Sequence, residues 1–442
     1  MKNNSNDMGE ACKINDYPKV LIFEHPPMNK EGIGKTLYSF FGNWDRERLG
    51  QVYSVDLPLD YSLCKYYYYP EIVNRTEVDD SRKSREKRRN SFGFKILANL
   101  AHSNLGTIIR SYRYKRIKRD CADLKKWIDE FSPDVFFVGI GENVNENLFI
   151  LELAQEKNIP IILYASDDYM TKWRKRGVYA KYGEMLYKSY KKLVSNSILF
   201  VVISDKMKRL YEKEFSSIKY FVASNSARCK RNIIKRELKD EIHFVYTGNL
   251  GLGRWQMLKK IADYIRYFNS NNNECKLYLS IYSQEMPELR ILNKITNEYS
   301  TYKSNVVGRE LDRVRGEADV LLLVESFDTR YREILSTAFS TKVSEYLSYG
   351  KIILAWAPDY AGSLEYLNCN KAAFCITSDK MENDLKKFVT QFCARQLDEI
   401  VKNGNKLFDE KHEFVRNAEK FADCVKLSLK CYFEKGKKGE LL

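Results

Sequence analysis

Short apolar runs alternate along this chain with longer stretches in which apolar positions recur every three or four residues. In the first half, Lys19–Phe23, Asp134–Ile140, Pro160–Ala165, Ile198–Ile203 and Tyr220–Ala223 read as strands. Ser204-Asp205 then forms a capping pair ahead of a helix over Lys206–Phe215. A charged stretch, Arg228 to Glu241, separates this half from a second series with the same rhythm. There Ile242–Tyr246 is a strand, Gly248 to Gly253 a glycine-rich turn, and a helix runs from about Gln256 to Phe268. Strands recur at Lys276–Ile281, Val320–Val324 and Lys351–Ala355, and Asp384 to Phe433 reads as helices with Phe388, Phe392, Leu407, Phe414, Phe421 and Val425 turned inward.

Strands alternating with amphipathic helices predict an α/β fold built on parallel sheets. Two such series predict two Rossmann-like domains facing across a cleft, with chemistry at the carboxyl ends of the strands. The expected divisions are 1–232, 242–415 and a closing helix over 416–442. A length of 442 residues suits two cores better than one. With 44% hydrophobic and 30% charged residues the composition is that of a globular protein.

Met1 to Lys19 is polar, with no apolar run of the kind a signal peptide needs, and no stretch approaches the ~18 apolar residues that span a bilayer. The expected location is therefore cytoplasmic. Ten cysteines lie scattered without a CxxC pair, and only four histidines are present. That pattern argues for reduced cysteines, and against both a disulfide framework and a structural zinc site.

The net charge of +15 is unevenly spread. Residues 82–119 carry thirteen Lys or Arg against one acid, Glu86, a net of +12. The cations flank Phe92, Phe94, Ile96, Leu97, Leu100, Leu105, Ile108 and Ile109, a layout suited to docking on an anionic membrane surface. A solvated basic loop fits the same composition. Nucleic-acid binding is the competing partner class, with Trp173 and Tyr179, Tyr182, Tyr187 and Tyr190 set among cations. The concentration of charge in one segment, without a nucleic-acid module, argues against it.

The strongest local signal runs from Ser340 to Gly350 and on into Lys351–Ala355. Ser340 or Thr341 can cap a two-turn helix, and Gly350 can end it in the left-handed conformation. Such a helix would offer a positive N-terminus to a diphosphate, Lys342 a mobile cation, and Glu345 an acceptor for both ribose hydroxyls. Two ordinary helix-surface charges fit the same spacing.

In this segment the chain resembles the GT-B glycosyltransferases, and most of all the bacterial polysaccharide enzymes related to glycosyltransferase family 4. Those carry a K-x-x-E-Y-L-x-x-G-K-P-I-I-A type segment, matched by Lys342 to Ala355 with Ile352 in place of proline. Phe200 to Met207 with Tyr211, Tyr246 to Gly251, and Ala318 to Leu323 extend the resemblance in the same order along the chain. It implies a nucleotide-diphosphate sugar donor, a UDP-sugar first, and a growing, lipid-linked surface-polysaccharide acceptor at the inner face of the plasma membrane. No metal and no cofactor are expected, since Lys342, Arg254 and a helix N-terminus can stabilise the departing diphosphate. By the same resemblance Glu345 is the ribose carboxylate, Lys342 lies beside the diphosphate, and Gly248, Asn249 and Gly251 form the donor-phosphate loop with Arg254 as its cation. The family's basic residue after the first glycine is here Asn249. Its second glutamate, eight residues before Glu345, is here Thr337; Glu325 and Glu333 repeat that spacing but lie ahead of the motif.

In the first half, Gly32 and Gly34 flank Ile33 after strand one and permit close approach of backbone to a substrate, although a plain turn fits equally. His25 ends strand one, and Asp167-Asp168 follow the strand Pro160–Ala165. These three are the candidates for catalysis or for orienting an acceptor hydroxyl, with a loop histidine and a helix cap as the plain alternatives. A nucleotide-sugar epimerase on the same fold is the alternative enzyme; it would have no need of a membrane segment.

Overall fold

The computed structural model describes residues 17–24, 26–30, 34–54, 57–70, 106–109, 111, 121–169, 179–231, 240–284 and 286–437. His25, Gly32 and nearly all of the 82–119 segment lie outside them. The chain divides into two compact units, the first of residues 1–223 and 418–442, the second of residues 224–417.

The first unit is a seven-stranded parallel sheet in the order β3-β2-β1-β4-β5-β6-β7. Its strands are β1 (Val20–Phe23), β2 (Leu49–Val52), β3 (Tyr66–Tyr68), β4 (Val135–Gly139), β5 (Ile161–Ala165), β6 (Ser197–Val202) and β7 (Tyr220–Val222). The helices between them are α1 (Lys35–Phe41), α2 (Ala122–Phe131), α3 (Val144–Lys157), α4 (Ala180–Ser195) and α5 (Asp205–Glu212). Ser204 Oγ accepts from Met207 N at 3.2 Å, so the capping pair does start α5. β1, β4 and β5 are continuous apolar runs because a parallel sheet is covered on both faces.

The second unit is a six-stranded parallel sheet in the order β10-β9-β8-β11-β12-β13. Its strands are β8 (Glu241–Thr247), β9 (Lys276–Tyr282), β10 (Ser300–Lys303), β11 (Val320–Val324), β12 (Ile352–Trp356) and β13 (Phe374–Ile376). Its helices are α6 (Arg254–Asn271), α7 (Leu289–Ile295), α8 (Gly308–Glu317), α9 (Arg332–Thr337), α10 (Lys342–Leu347), α11 (Gly362–Cys369), α12 (Glu382–Cys393) and α13 (Asp398–Lys411). Ile242, Phe244 and Tyr246 of β8, Leu277 and Leu279 of β9 and Leu322 and Val324 of β11 pack with Leu258, Ile261 and Ile265 of α6 and Phe388 of α12 in one core.

The last helix, α14 (Phe414–Lys437), begins in the second unit and returns to the first. Its Phe421 ring lies 5.3 Å from both Phe40 and Phe41 and 6.0 Å from Phe137. Burying one phenyl among three others contributes on the order of 2 kcal/mol or more. None of the helices in the described residues is long and apolar enough to cross a membrane.

Both sheets share one topology. The chain steps outward from β1 to β3, and from β8 to β10, then returns to place β4 beside β1 and β11 beside β8. Strand order reverses at those two points, and loops leaving the carboxyl ends there diverge and open a crevice.

Candidate functional site

At the reversal in the second sheet, β8 ends at Thr247 and the turn Gly248–Gly253 leads straight into α6. Leu252 and Gly253 both adopt the left-handed conformation, at φ 52° and 77°. Glycine at 253 is doubly required, since a Cβ there would stand 2.5 Å from Ser326 Oγ. The Tyr246 hydroxyl donates to Asn249 O at 2.5 Å and holds the turn closed. The amides of Arg254, Trp255 and Gln256 point back to the carbonyls of Gly251, Leu250 and Gly253. These first-turn amides are thus taken up by the turn itself, and attraction for an anion rests on the side chains. Gly251 is exposed and has room for a larger residue.

Two cations stand at this turn. Arg254 is held in a fork, Nε to Glu325 Oε2 at 2.8 Å and Nη2 to Oε1 at 3.1 Å, while Nη1 donates to Asn249 Oδ1 at 2.6 Å. Burial works against its charge, but Glu325 beside it keeps the guanidinium above its ordinary value. Asn249, which stands where the resembling enzymes have a basic residue, thus helps orient one. Glu325 follows β11 directly, and its amide bonds Trp356 O at 3.0 Å. The spacing of Glu325 ahead of Glu333 gave no hint of this partnership.

Lys342 is the second cation. A Cβ on Gly248 would lie 2.2 Å from Lys342 Cε and 2.5 Å from Nζ, so glycine is what lets the lysine lie flat against the turn. Its ammonium stands 5.5 Å from the centre of the Tyr246 ring. No carboxylate lies within ion-pair distance of Nζ among the described residues. Desolvation, with the Arg254 charge adding to it, lowers its pKa to about 8. α10 itself spans only six residues. Ser340 Oγ accepts from Lys342 N at 3.3 Å, Thr341 makes no capping bond, and Gly350 ends the motif at φ 61°.

Glu345 sits one turn into α10 and is paired with Arg315 of α8, Nη2 to Oε2 at 2.8 Å, with side chains only 8% and 14% exposed. Arg315 Nε also donates to Thr247 Oγ1 at 3.0 Å, and its guanidinium lies 5.5 Å from the centre of the Tyr346 ring. The Tyr346 hydroxyl in turn bonds the Thr247 amide at 3.2 Å. No compact motif marks Arg315 in the sequence. Its signal was a cation in register with Leu311, Val314 and Ala318, the spacing of a core-facing helix stripe.

The matching edge of the first sheet is acidic. Glu24 follows β1 and its carboxylate lies across Gly139, where a Cβ would meet Oε2 at 1.7 Å. Gln51, wholly buried in β2, accepts from Met28 N at 2.9 Å and donates to Pro26 O at 2.8 Å, fixing the loop after β1. Asp168 Oδ1 accepts from the Tyr211 hydroxyl at 3.2 Å, and Asp167 Oδ2 from the Tyr169 hydroxyl at 3.4 Å. Burial, with the Asp168 charge adding to it, keeps the Tyr211 phenol protonated far above its ordinary value, so it remains a donor. Asp167 is exposed and Asp168 half-buried. Gly34 precedes α1, where a Cβ would stand 2.1 Å from Pro27 O; the close approach is to the chain's own loop. In the described residues, no three His, Cys, Asp or Glu side chains are grouped as metal ligands would be.

No protein-family model matches this chain, and no curated protein sequence does. Solved structures do resemble it. Anabaena HepE in complex with UDP aligns at a TM-score of 0.56 and 10% identity, over 92% of this chain and 99% of that one. The α,α-trehalose-phosphate synthase (UDP-forming) from Burkholderia xenovorans, in complex with glucose-6-phosphate, gives 0.58 at 9%, over 93% and 100%. A trehalose-6-phosphate protein from E. coli bound with UDP-2-fluoro glucose gives 0.57 at 12%, over 93% and 98%. At these identities the likeness is one of fold, and the fold is GT-B, with two parallel-sheet α/β domains.

Proposed function

We propose that this chain is a glycosyltransferase whose donor, a nucleoside-diphosphate sugar and first of all a UDP-sugar, is held at the carboxyl edge of the second sheet. The observation that carries this reading is the meeting of Arg254 and Lys342 at the Gly248 turn, with the carboxylate of Glu345 fixed nearby by Arg315. Two cations on one turn suit a diphosphate, and a fixed carboxylate suits a pair of ribose hydroxyls. As the bond to the sugar breaks, negative charge builds on the diphosphate, and Arg254 and Lys342 are already in position to stabilise it.

Acceptor recognition falls to the acidic edge of the first sheet, where Asp167 or Asp168 would orient or deprotonate the attacking hydroxyl. The Lys342–Ala355 segment favours the family 4 type of bacterial polysaccharide enzyme, with a lipid-linked surface glycan as acceptor. The +12 charge of residues 82–119 favours docking on an anionic membrane. Deleting them should then shift the protein from the membrane to the soluble fraction; an unchanged distribution would remove that part of the reading.

The test of the donor is a thermal-shift panel of UDP, GDP and CMP on wild type and Glu345→Ala. At a hundred times its dissociation constant a nucleotide stabilises by about 2.7 kcal/mol. A shift with one nucleotide that is lost in the variant supports the reading, and no shift with any of them contradicts it.

A further inference from the structure

We infer that Arg315 is a positioning residue for nucleotide recognition, holding Glu345 at the geometry its two ribose contacts require and tying it to the phosphate turn. The inference rests on the donor reading above. Arg315 stands on α8, thirty positions before Glu345, and joins three elements at once. It meets the carboxylate of α10 at 2.8 Å, the Thr247 hydroxyl at the end of β8 at 3.0 Å, and the ring of Tyr346 at 5.5 Å. Thr247 directly precedes Gly248, against which Lys342 packs. One guanidinium therefore sets the distance between the carboxylate that reads the sugar of the nucleotide and the turn that meets its phosphates.

The pairing is poorly explained by stability alone. A buried ion pair loses the hydration of both charges, and a well-packed apolar pair of similar volume is often as stable or more so. Here both groups are nearly covered, and the arginine is anchored twice besides. A guanidinium with three fixed contacts has little rotational freedom left, so it presents Nη2 to one carboxylate oxygen along a single line. An ion pair to a partner fixed in this way narrows the rotamers open to Glu345.

The experiment is calorimetric titration of UDP and of 2′,3′-dideoxy-UDP into wild type, Arg315→Met, Arg315→Lys, Glu345→Gln and the Arg315→Met/Glu345→Gln double variant. Wild type should prefer UDP by roughly tenfold or more, the worth of hydrogen bonds to a charged group. Arg315→Met should bring that preference close to one while leaving affinity for the dideoxy compound within about twofold. Arg315→Lys should restore part of it, and the double variant should be no worse than either single one. The double variant removes both charges of the pair, so neither is left buried without its partner, and it keeps the test open should Arg315→Met fold poorly. Retention of the full preference in Arg315→Met, or additive losses in the double variant, would overturn the inference. Wild type binding neither compound would overturn the donor reading itself. Binding of both equally would remove the ribose role of Glu345.

Discussion

The two sheets reverse strand order in the same way, yet their carboxyl edges carry opposite chemistry. At the second edge Arg254, Lys342 and Arg315 gather around the Gly248 turn, with Glu325 and Glu345 orienting two of them. At the first edge the residues just after β1, β4 and β5 include Glu24, Glu142, Asp167 and Asp168, with Tyr182 and Tyr190 tying down the loop after β4. Topology alone makes both edges candidates for binding. In the proposed function their side chains divide the work, since a cationic turn attracts a diphosphate and a carboxylate edge repels one while accepting hydrogen bonds from hydroxyls.

This contrast can be broken in graded steps. The largest effect is expected from Lys342→Met, which should weaken UDP about a hundredfold by calorimetry and leave uridine unchanged, since only the diphosphate loses a charge-assisted contact. Gly248→Ala pushes a methyl into the lysine side chain and should cost about tenfold in the wild type. In the Lys342→Met background it should cost little, because the ammonium is already gone.

The pH dependence is of similar size and has a sign. The folded pKa of Lys342, about 8, lies below its ordinary 10.5. UDP prefers the ammonium, so its dissociation constant should rise about tenfold per unit above pH 8, and in Lys342→Met it should stay level. The ligand-free protein should respond in the opposite direction at this residue. Between about 8 and 10.5 the unfolded chain keeps a proton that the folded chain has released, so the lysine's contribution to stability improves with pH. The smallest expected effect on the donor comes from the first edge. Asp168→Asn and Tyr211→Phe should leave UDP affinity within about twofold and lower turnover with acceptor. A tenfold loss of UDP affinity in either variant would erase the division between the edges.

Much of the scaffold was legible because buried parallel strands are apolar throughout: β4, β5, β8, β9, β11 and β12 stand out as runs. The strands that escaped notice are β2, β3, β10 and β13, three or four residues each. β2 carries a glycine and a buried glutamine, and β10 reads Ser-Thr-Tyr-Lys, so neither shows a run or a clean alternation. Lys342, Glu345 and the Gly248 turn could be singled out because each lies in a compact motif with a local signal. Arg315 and Glu325 could not, since their partners lie 30 and 71 positions away and only the sheet order brings them together. The first edge was harder still: Glu24 has meaning only once β4 puts Gly139 beneath it.

The most direct measurement is hydrogen–deuterium exchange with and without saturating UDP, followed peptide by peptide. The expected result is protection at residues 247–256, 325–328 and 340–350 of the second unit, with none at 139–143 and 165–169 of the first. Protection confined to those first-unit peptides, or a nucleotide that protects neither edge, would contradict the assignment of the donor to the cationic edge.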